Sequence, residues 1–291
     1  AQMQHVLIAL VPKPGATHEG QLRPIGILPM LYRVYMKLRR QTYQDWTRTL
    51  HQGREESALD LAWKTRVRDA IDEHNGLYSI SVFHDCSKCY ERVNHKRAQE
   101  LMVAAGAPAS LVNMVLSMYQ GTRYIKVHGC TIHTGAFQQG IIAGCSWAKD
   151  ILKVLIADIK KRCDRLGLTL RDYVDDIMLR EVSHDIDILV HKAYVGLQHA
   201  KQLIRQTGLK DNEAKEQILI TNKRVSDAFK ATYPDAASKV VQTAKDLGVC
   251  QRRHNHINPV IAQRIKDKLA YPGKVRSLSA LTQSERAVIL E

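Results

Sequence analysis

Two aspartates, Asp175 and Asp176, stand side by side inside the stretch "LTLRDYVDDIML" at 168–179. Aromatic, apolar and β-branched residues flank them, which predicts two strands joined at a tight corner with the pair at its tip. Like charges repel, and crowded or buried carboxylates are costly unless something neutralises them. By itself the pair admits two readings: an exposed turn, which aspartate favours, or a place that attracts a cation. Any fold of this chain must bring that corner either into water or against a counter-charge.

A second strand-end carboxylate bears on the choice. "LYSISVFHD" at 77–85 alternates as a strand does and ends at Asp85. Mg2+ prefers a few carboxylate oxygens and otherwise keeps water and substrate phosphates. Two such ions about 4 Å apart activate a hydroxyl and stabilise a leaving pyrophosphate. That chemistry asks for an aspartate at one strand end and more on a neighbouring hairpin tip, the pattern of Asp85 with Asp175 and Asp176. Charge points the same way: 43 Lys and Arg against 29 Asp and Glu leave +14. Such a balance favours a polyanionic partner, nucleic acid first and a membrane surface second, over a merely soluble basic protein.

The 291 residues, 45% of them hydrophobic, suffice for a core and two or three subdomains. "HVLIALVPKPG" reads as a strand running into a Pro-Gly loop. Pro29 starts a helix with Leu31, Val34, Tyr35 and Leu38 on its apolar side and Arg33, Lys37 and Arg40 along another. Helices are predicted over about 96–105 and about 110–120, followed by a hairpin made from "RYIKVHG" and "HTGAFQQG". A longer helix spans about 146–166, where Ile151, Leu155, Ile159 and Cys163 or Leu166 recur at helical spacing. Ser183 caps a helix over about 184–207 that Gly208 ends. Strands at 216–222 and 239–250 follow, then a basic helical tail over 251–291 with eight Lys and Arg against three acids. Strands interleaved with long helices predict an α+β sheet with helices on one face.

Six cysteines, at 86, 89, 130, 145, 163 and 250, form no disulfide framework, so a reducing compartment is expected. "CSKC" at 86–89 lacks a second pair to complete four ligands, and structural zinc is not expected. No apolar run approaches the roughly 18 residues of a membrane span. The chain starts without Met or a secretory signal, and amphipathic sequence continues to both ends, which leads us to expect a piece of a longer polypeptide.

These stretches, in order, resemble a family. "VPKPG…RPIGILPMLYRVYMKL" at 11–38, "FHDCSKCYERV" at 83–93, "YVDD" at 173–176, "TGLKDNEAKEQ" at 207–217 and "KDLGV" at 245–249 are similar to five motifs of reverse transcriptases, in particular those of non-LTR retrotransposons and group II introns. The resemblance covers roughly residues 7–250. It implies an α+β right-hand polymerase palm, an antiparallel sheet backed by helices, with fingers and the start of a helical thumb. Fingers would take 1–76 and return over 96–122, palm 77–95 and 123–250, and thumb 251–291. Asp85 and Asp175 would ligate two Mg2+ ions (Mn2+ a possible substitute), with Asp176 assisting and the Cys86 carbonyl adding an oxygen. Lys13 and Arg23 would grip the triphosphate, and Lys215 would protonate or neutralise the leaving pyrophosphate. Tyr90 would block a ribose 2′-hydroxyl, Tyr173 would sit under the primer terminus, and Leu247 and Gly248 would form the primer grip. RNA template, DNA primer and dNTPs are the implied partners, with no membrane, and the implied place of action is intracellular and nuclear.

One motif departs from the family. Gln-Gly-x-Pro before the long palm helix reads here as "AGCS" at 143–146, or as "QQGII" at 138–142 with altered spacing. Gly144 in the first register would let backbone approach the base pair closely; the alternative is a plain helix-start glycine. Two rival functions stay open. One is an RNA-dependent RNA polymerase, which usually carries Gly-Asp-Asp and a polar residue where Tyr90 stands. The other is a catalytically decayed or domesticated palm that binds nucleic acid.

Overall fold

The computed structural model describes residues 5–13, 15, 17–18, 21–51, 57–127, 130–220, 222–246 and 249–252. The chain opens with strands β1 (Val6–Pro12) and β2 (Leu22–Ile27), followed by helices α1 (Met30–Leu38), α2 (Arg40–His51) and α3 (Ala58–His74). Strand β3 (Tyr78–Asp85) leads to α4 (Cys89–Arg92), α5 (His95–Ala104) and α6 (Ala109–Gln120), then to strands β4 (Arg123–Val127) and β5 (Cys130–His133). Helix α7 (Ala148–Arg165), strands β6 (Thr169–Tyr173) and β7 (Asp176–Ser183), helix α8 (Ile186–Gln206), strand β8 (Gln217–Ile220) and helix α9 (Lys223–Thr232) come next. A 3-10 turn (Ala237–Lys239) and strands β9 (Val240–Val241), β10 (Thr243–Asp246) and β11 (Val249–Arg252) close the described chain.

The strands form a five-stranded sheet in the order β6-β7-β3-β8-β9, a four-stranded sheet β2-β1-β4-β5, and the β10-β11 hairpin. Pairing is antiparallel except at β1–β4 and β8–β9. The expected class, antiparallel sheets backed by helices, is the class observed. Central strand β3 is buried on both faces because helices cover both. Helix α8 packs over β3 and β7. Its apolar stripe, Leu189, Ala193, Leu197, Ala200 and Ile204, keeps one helical face on the sheet. On the opposite face α3 is tied to β7 by Arg180, whose guanidinium donates to Asp69 at 2.7 Å and Asp72 at 2.6 Å. Helices on one face only is therefore corrected. Ser57 and Asp60 form a capping box at the start of α3, a signal the sequence reading passed over, as it did α9.

Several boundaries also differ. Pro29 does precede α1, but the helix buries Tyr32 and Met36, while Leu31, Val34 and Leu38 are exposed. The reason is tertiary: "LRPIGI" ahead of the helix is strand β2, paired with β1, and Tyr32 packs inward, where its hydroxyl meets the distant Cys145 Sγ at 3.5 Å. Ser183 is not the cap of α8; Asp185 is, accepting from Ile188 N–H at 2.9 Å, while Ser183 accepts from Asp185 N–H. The span 239–250 is not one strand but the short β9 and the β10–β11 hairpin. Residues 123–127 of "RYIKVHG" form β4, whereas only His133 of "HTGAFQQG" is in its partner β5, and the hairpin joins β1's sheet rather than the five-stranded one. The tail 253–291 lies outside the described residues. Among the described residues no helix is long and apolar enough to cross a membrane.

Candidate active site

Antiparallel register places the carboxylates. Tyr173 at the end of β6 pairs with Asp176 at the start of β7, so Val174 and Asp175 alone make the turn. Val174 takes a φ of 57°, a left-handed conformation that a β-branched residue adopts only under constraint. Strand β3 runs antiparallel to β7 with Asp85 opposite Asp176. All three aspartates thus gather at one end of the sheet. Burial raises the pKa of Asp175; a hydrogen bond from its own backbone opposes the rise, Asp85 adds to it, and Lys215 and Arg23 oppose it.

The segment after α8 closes over this end. Ser87 N–H donates to Lys210 O at 2.8 Å, and Cys86 bridges Asp211. Asn212 holds Asp85 twice: its N–H donates to the Asp85 carbonyl at 2.8 Å and its Nδ2 to Oδ2 at 2.9 Å. Lys215 N–H returns to Asn212 O at 2.9 Å, and Lys215 Nζ stands 2.8 Å from Asp85 Oδ2. Arg205 fixes the segment from behind through both oxygens of Asp211. Asn212 is the residue to which sequence reasoning gave no role, although it is the asparagine of the Gly-Leu-x-x-Asn-x-x-Lys stretch.

Tyr90 lies in α4, half-buried; burial raises the pKa of its phenol, with the charge of Asp175 the next largest cause. Cys86 and Cys89 are buried, and the Cys89 thiol is pushed well up, first by its hydrogen bond to Cys86 and then by burial. Arg23, exposed on β2, pairs with Val11 and reaches Asp175 electrostatically. Lys13 follows β1 and is exposed; two residues beyond Val11, it shares Arg23's face of the hairpin, and no contact ties it to the carboxylates. Tyr173 is half-buried at the corner. Leu247 and Gly248 lie outside the described residues.

Gly144 has a φ of +105°, and a Cβ there would stand 2.7 Å from Gly26 O of β2. The contact is mutual: Gly26 N–H donates to Ala143 O at 2.7 Å, and a Cβ on Gly26 would collide with Ile142 Cγ2. Helix α7 begins only at Ala148, with Trp147 as its N-cap. The helix-start alternative for Gly144 is therefore corrected: this glycine joins the segment before α7 to β2.

Among the described residues no three His, Cys, Asp or Glu side chains are grouped closely enough to hold an ion. The donor set at the sheet end fits Mg2+ in kind: carboxylate oxygens, with Asp175 held up by burial and by Asp85. Lys215 stands where Asp85 needs a counter-charge.

The sheet end thus carries aspartates from two strand ends and a hairpin turn, with Lys215 against Asp85. A reverse transcriptase (RNA-dependent DNA polymerase) family model matches residues 11–250, and the chain belongs to that family, whose members are nucleotidyltransferases. No curated protein matches the sequence. Solved telomerases share the fold. One from Candida tropicalis in complex with a TWJ fragment of telomeric RNA has a TM-score of 0.58 at 15% identity over 76% of this chain and 41% of that one. An apo form from the same organism, truncated from its C-terminal domain, gives 0.58 at 14% over 87% and 54%. The Candida albicans enzyme with the same RNA fragment gives 0.58 at 14% over 89% and 48%. The chain thus spans about half the length of these structures.

Proposed function

We propose that the chain is the RNA-directed DNA polymerase core of a retroelement polyprotein, of the non-LTR or group II intron kind, acting in the nucleus. It extends a primer 3′-hydroxyl along an RNA template by attack on the α-phosphate of a dNTP, releasing pyrophosphate. The observation that carries this reading is the pairing of Asp85 with Asp176 across β3 and β7, with Lys215 and Asn212 closing on Asp85.

Asp85 and Asp175, helped by Asp176 and the Cys86 carbonyl, would hold two Mg2+ ions, for which Mn2+ can substitute. Bound there, such ions acidify the attacking hydroxyl and stabilise charge on the leaving oxygens. The chain's own groups do the rest. Asn212 holds the Asp85 carboxylate in one orientation. Lys215 exchanges Asp85 for the leaving pyrophosphate and donates a proton to it. Arg23 and Lys13 grip the triphosphate from the β1–β2 hairpin, Arg in bidentate fashion and Lys as a point charge. Tyr90 stands against the ribose 2′ position, and Tyr173 supports the primer end. Residues 1–76 and 96–122 would serve as fingers, 77–95 and 123–250 as palm, with Leu247 and Gly248 as the primer grip, and 251–291 as the start of a basic thumb. Catalysis rests on positioning and electrostatics.

Primer extension on an RNA template with Mg2+ and dNTPs tests the reading. DNA product is expected; binding of template-primer without extension favours a decayed palm. Tyr90→Ala separates DNA from RNA synthesis: rNTP incorporation is expected to rise about tenfold relative to dNTP, as loss of a steric block implies. Unchanged discrimination points to an RNA-dependent RNA polymerase instead.

A further inference from the structure

Strands β3 and β8 are antiparallel with Phe83 opposite Gln217. Beyond that pair the chain leaves the ladder in a turn over 213–215, and side-chain contacts set His84 beside Glu216 and Asp85 beside Lys215. His84 and Asp85 are neighbours on β3, and alternation sends their side chains to opposite faces. On the site face, Asp85 and Lys215 meet at 2.8 Å with their side chains 28% and 64% exposed, open enough to exchange partners. On the α8 face, Glu216 is 1% exposed and takes Lys201 Nζ of α8 at 2.9 Å and Lys239 Nζ of the 3-10 turn at 2.7 Å, with His84 Nδ1 at 3.6 Å. Burial pushes the His84 pKa down to about 4, with Glu216 opposing the fall and Lys201 adding to it, so the ring is neutral at neutral pH. One carboxylate thus anchors three elements beneath the sheet end.

A buried ion cluster is a poor source of stability compared with apolar packing, and its best-attested use is to fix geometry. The geometry at stake is that of the adjoining residue. Glu216 precedes β8 directly, and Lys215 reaches Asp85 from the next backbone position.

We propose that Glu216 is a positioning residue: held by Lys201 and Lys239, it fixes the backbone from which Lys215 acts on Asp85. This rests on the reading of Lys215 as proton donor to the leaving group.

A double-mutant cycle in primer extension tests it, using the full chain with Lys215→Ala, Glu216→Gln and the pair. Glu216→Gln is expected to lower kcat about tenfold with dNTP KM within roughly threefold, and to add almost nothing in the Lys215→Ala background, because coupled residues are non-additive. Glu216→Gln leaves the buried Lys201 and the half-buried Lys239 without their carboxylate. Glu216→Gln with Lys239→Gln therefore restores the original net charge of the cluster and is expected to fold while keeping the low kcat. Amide exchange over 212–217 is expected to quicken in both proteins that carry Glu216→Gln with Lys215 intact. Additive losses, or a folded Glu216→Gln/Lys239→Gln protein with unchanged kcat and exchange, overturn the inference alone. Absence of extension by the unsubstituted chain overturns the polymerase reading and this inference with it.

Discussion

The two sheets hold their charged residues in opposite ways. At the end of the five-stranded sheet, strand register fixes Asp85 and Asp176, a strained two-residue turn fixes Asp175, and the Asn212–Lys215 segment closes on Asp85. On the β1–β2 hairpin, Arg23 and Lys13 are exposed on an edge of the four-stranded sheet, and only electrostatic reach connects Arg23 with Asp175. The two regions meet where Ala143 and Gly144 press against Gly26. A locked acidic floor facing an adaptable basic hairpin suits a reaction whose reacting atoms need fixed geometry while each incoming triphosphate must enter and leave.

This contrast predicts that floor substitutions strike turnover and hairpin substitutions strike nucleotide affinity. Asp175→Asn should have the largest effect, lowering kcat roughly 1,000-fold or more, as loss of a centrally placed electrostatic group does. Because burial already disfavours this carboxylate, the same variant should melt no earlier than the unsubstituted chain; steady-state kinetics and calorimetry read the two halves. Lys215→Ala should lower kcat about 100-fold with little change in KM, the size of a lost general acid. Arg23→Ala should do the reverse, raising dNTP KM about tenfold, the worth of one charge-assisted contact, with kcat within about threefold. An equal fall in kcat would mean that the hairpin belongs to the floor. Gly144→Ala probes the joint. Its Cβ would clash with Gly26 O, so stability should drop by about 1–3 kcal/mol in denaturant unfolding, with the smallest effect on turnover of the four.

Much of the floor was legible in the sequence, and the reason is periodicity. Strand alternation around Asp85 and around Asp175 and Asp176 is local, and the long helices α7 and α8 carry strong apolar repeats. What escaped was set by contacts between distant segments. Leu31, Val34 and Leu38 read as an apolar face, yet tertiary packing selected Tyr32 and Met36. Helix α3 is weakly amphipathic along its sequence because it is fastened to β7 by Arg180, Asp69 and Asp72 rather than by an apolar stripe alone. The spacing of Asn212 suggested a motif but not its two hydrogen bonds to Asp85. Nor did the sequence reveal that Glu216, beside an exposed lysine, is fully enclosed.

The central proposal is that Asp85 and Asp175, with Asp176 assisting, would hold divalent ions beside a bound nucleotide. Anomalous diffraction from crystals of the chain with template-primer, Mn2+ and an unreactive dNTP analogue tests it most directly. Two peaks are expected roughly 2 Å from oxygens of Asp85 and Asp175, with Lys215 Nζ withdrawn from Asp85 towards the phosphates. Bound nucleotide with no peak at these carboxylates, and Lys215 still on Asp85, would contradict the account.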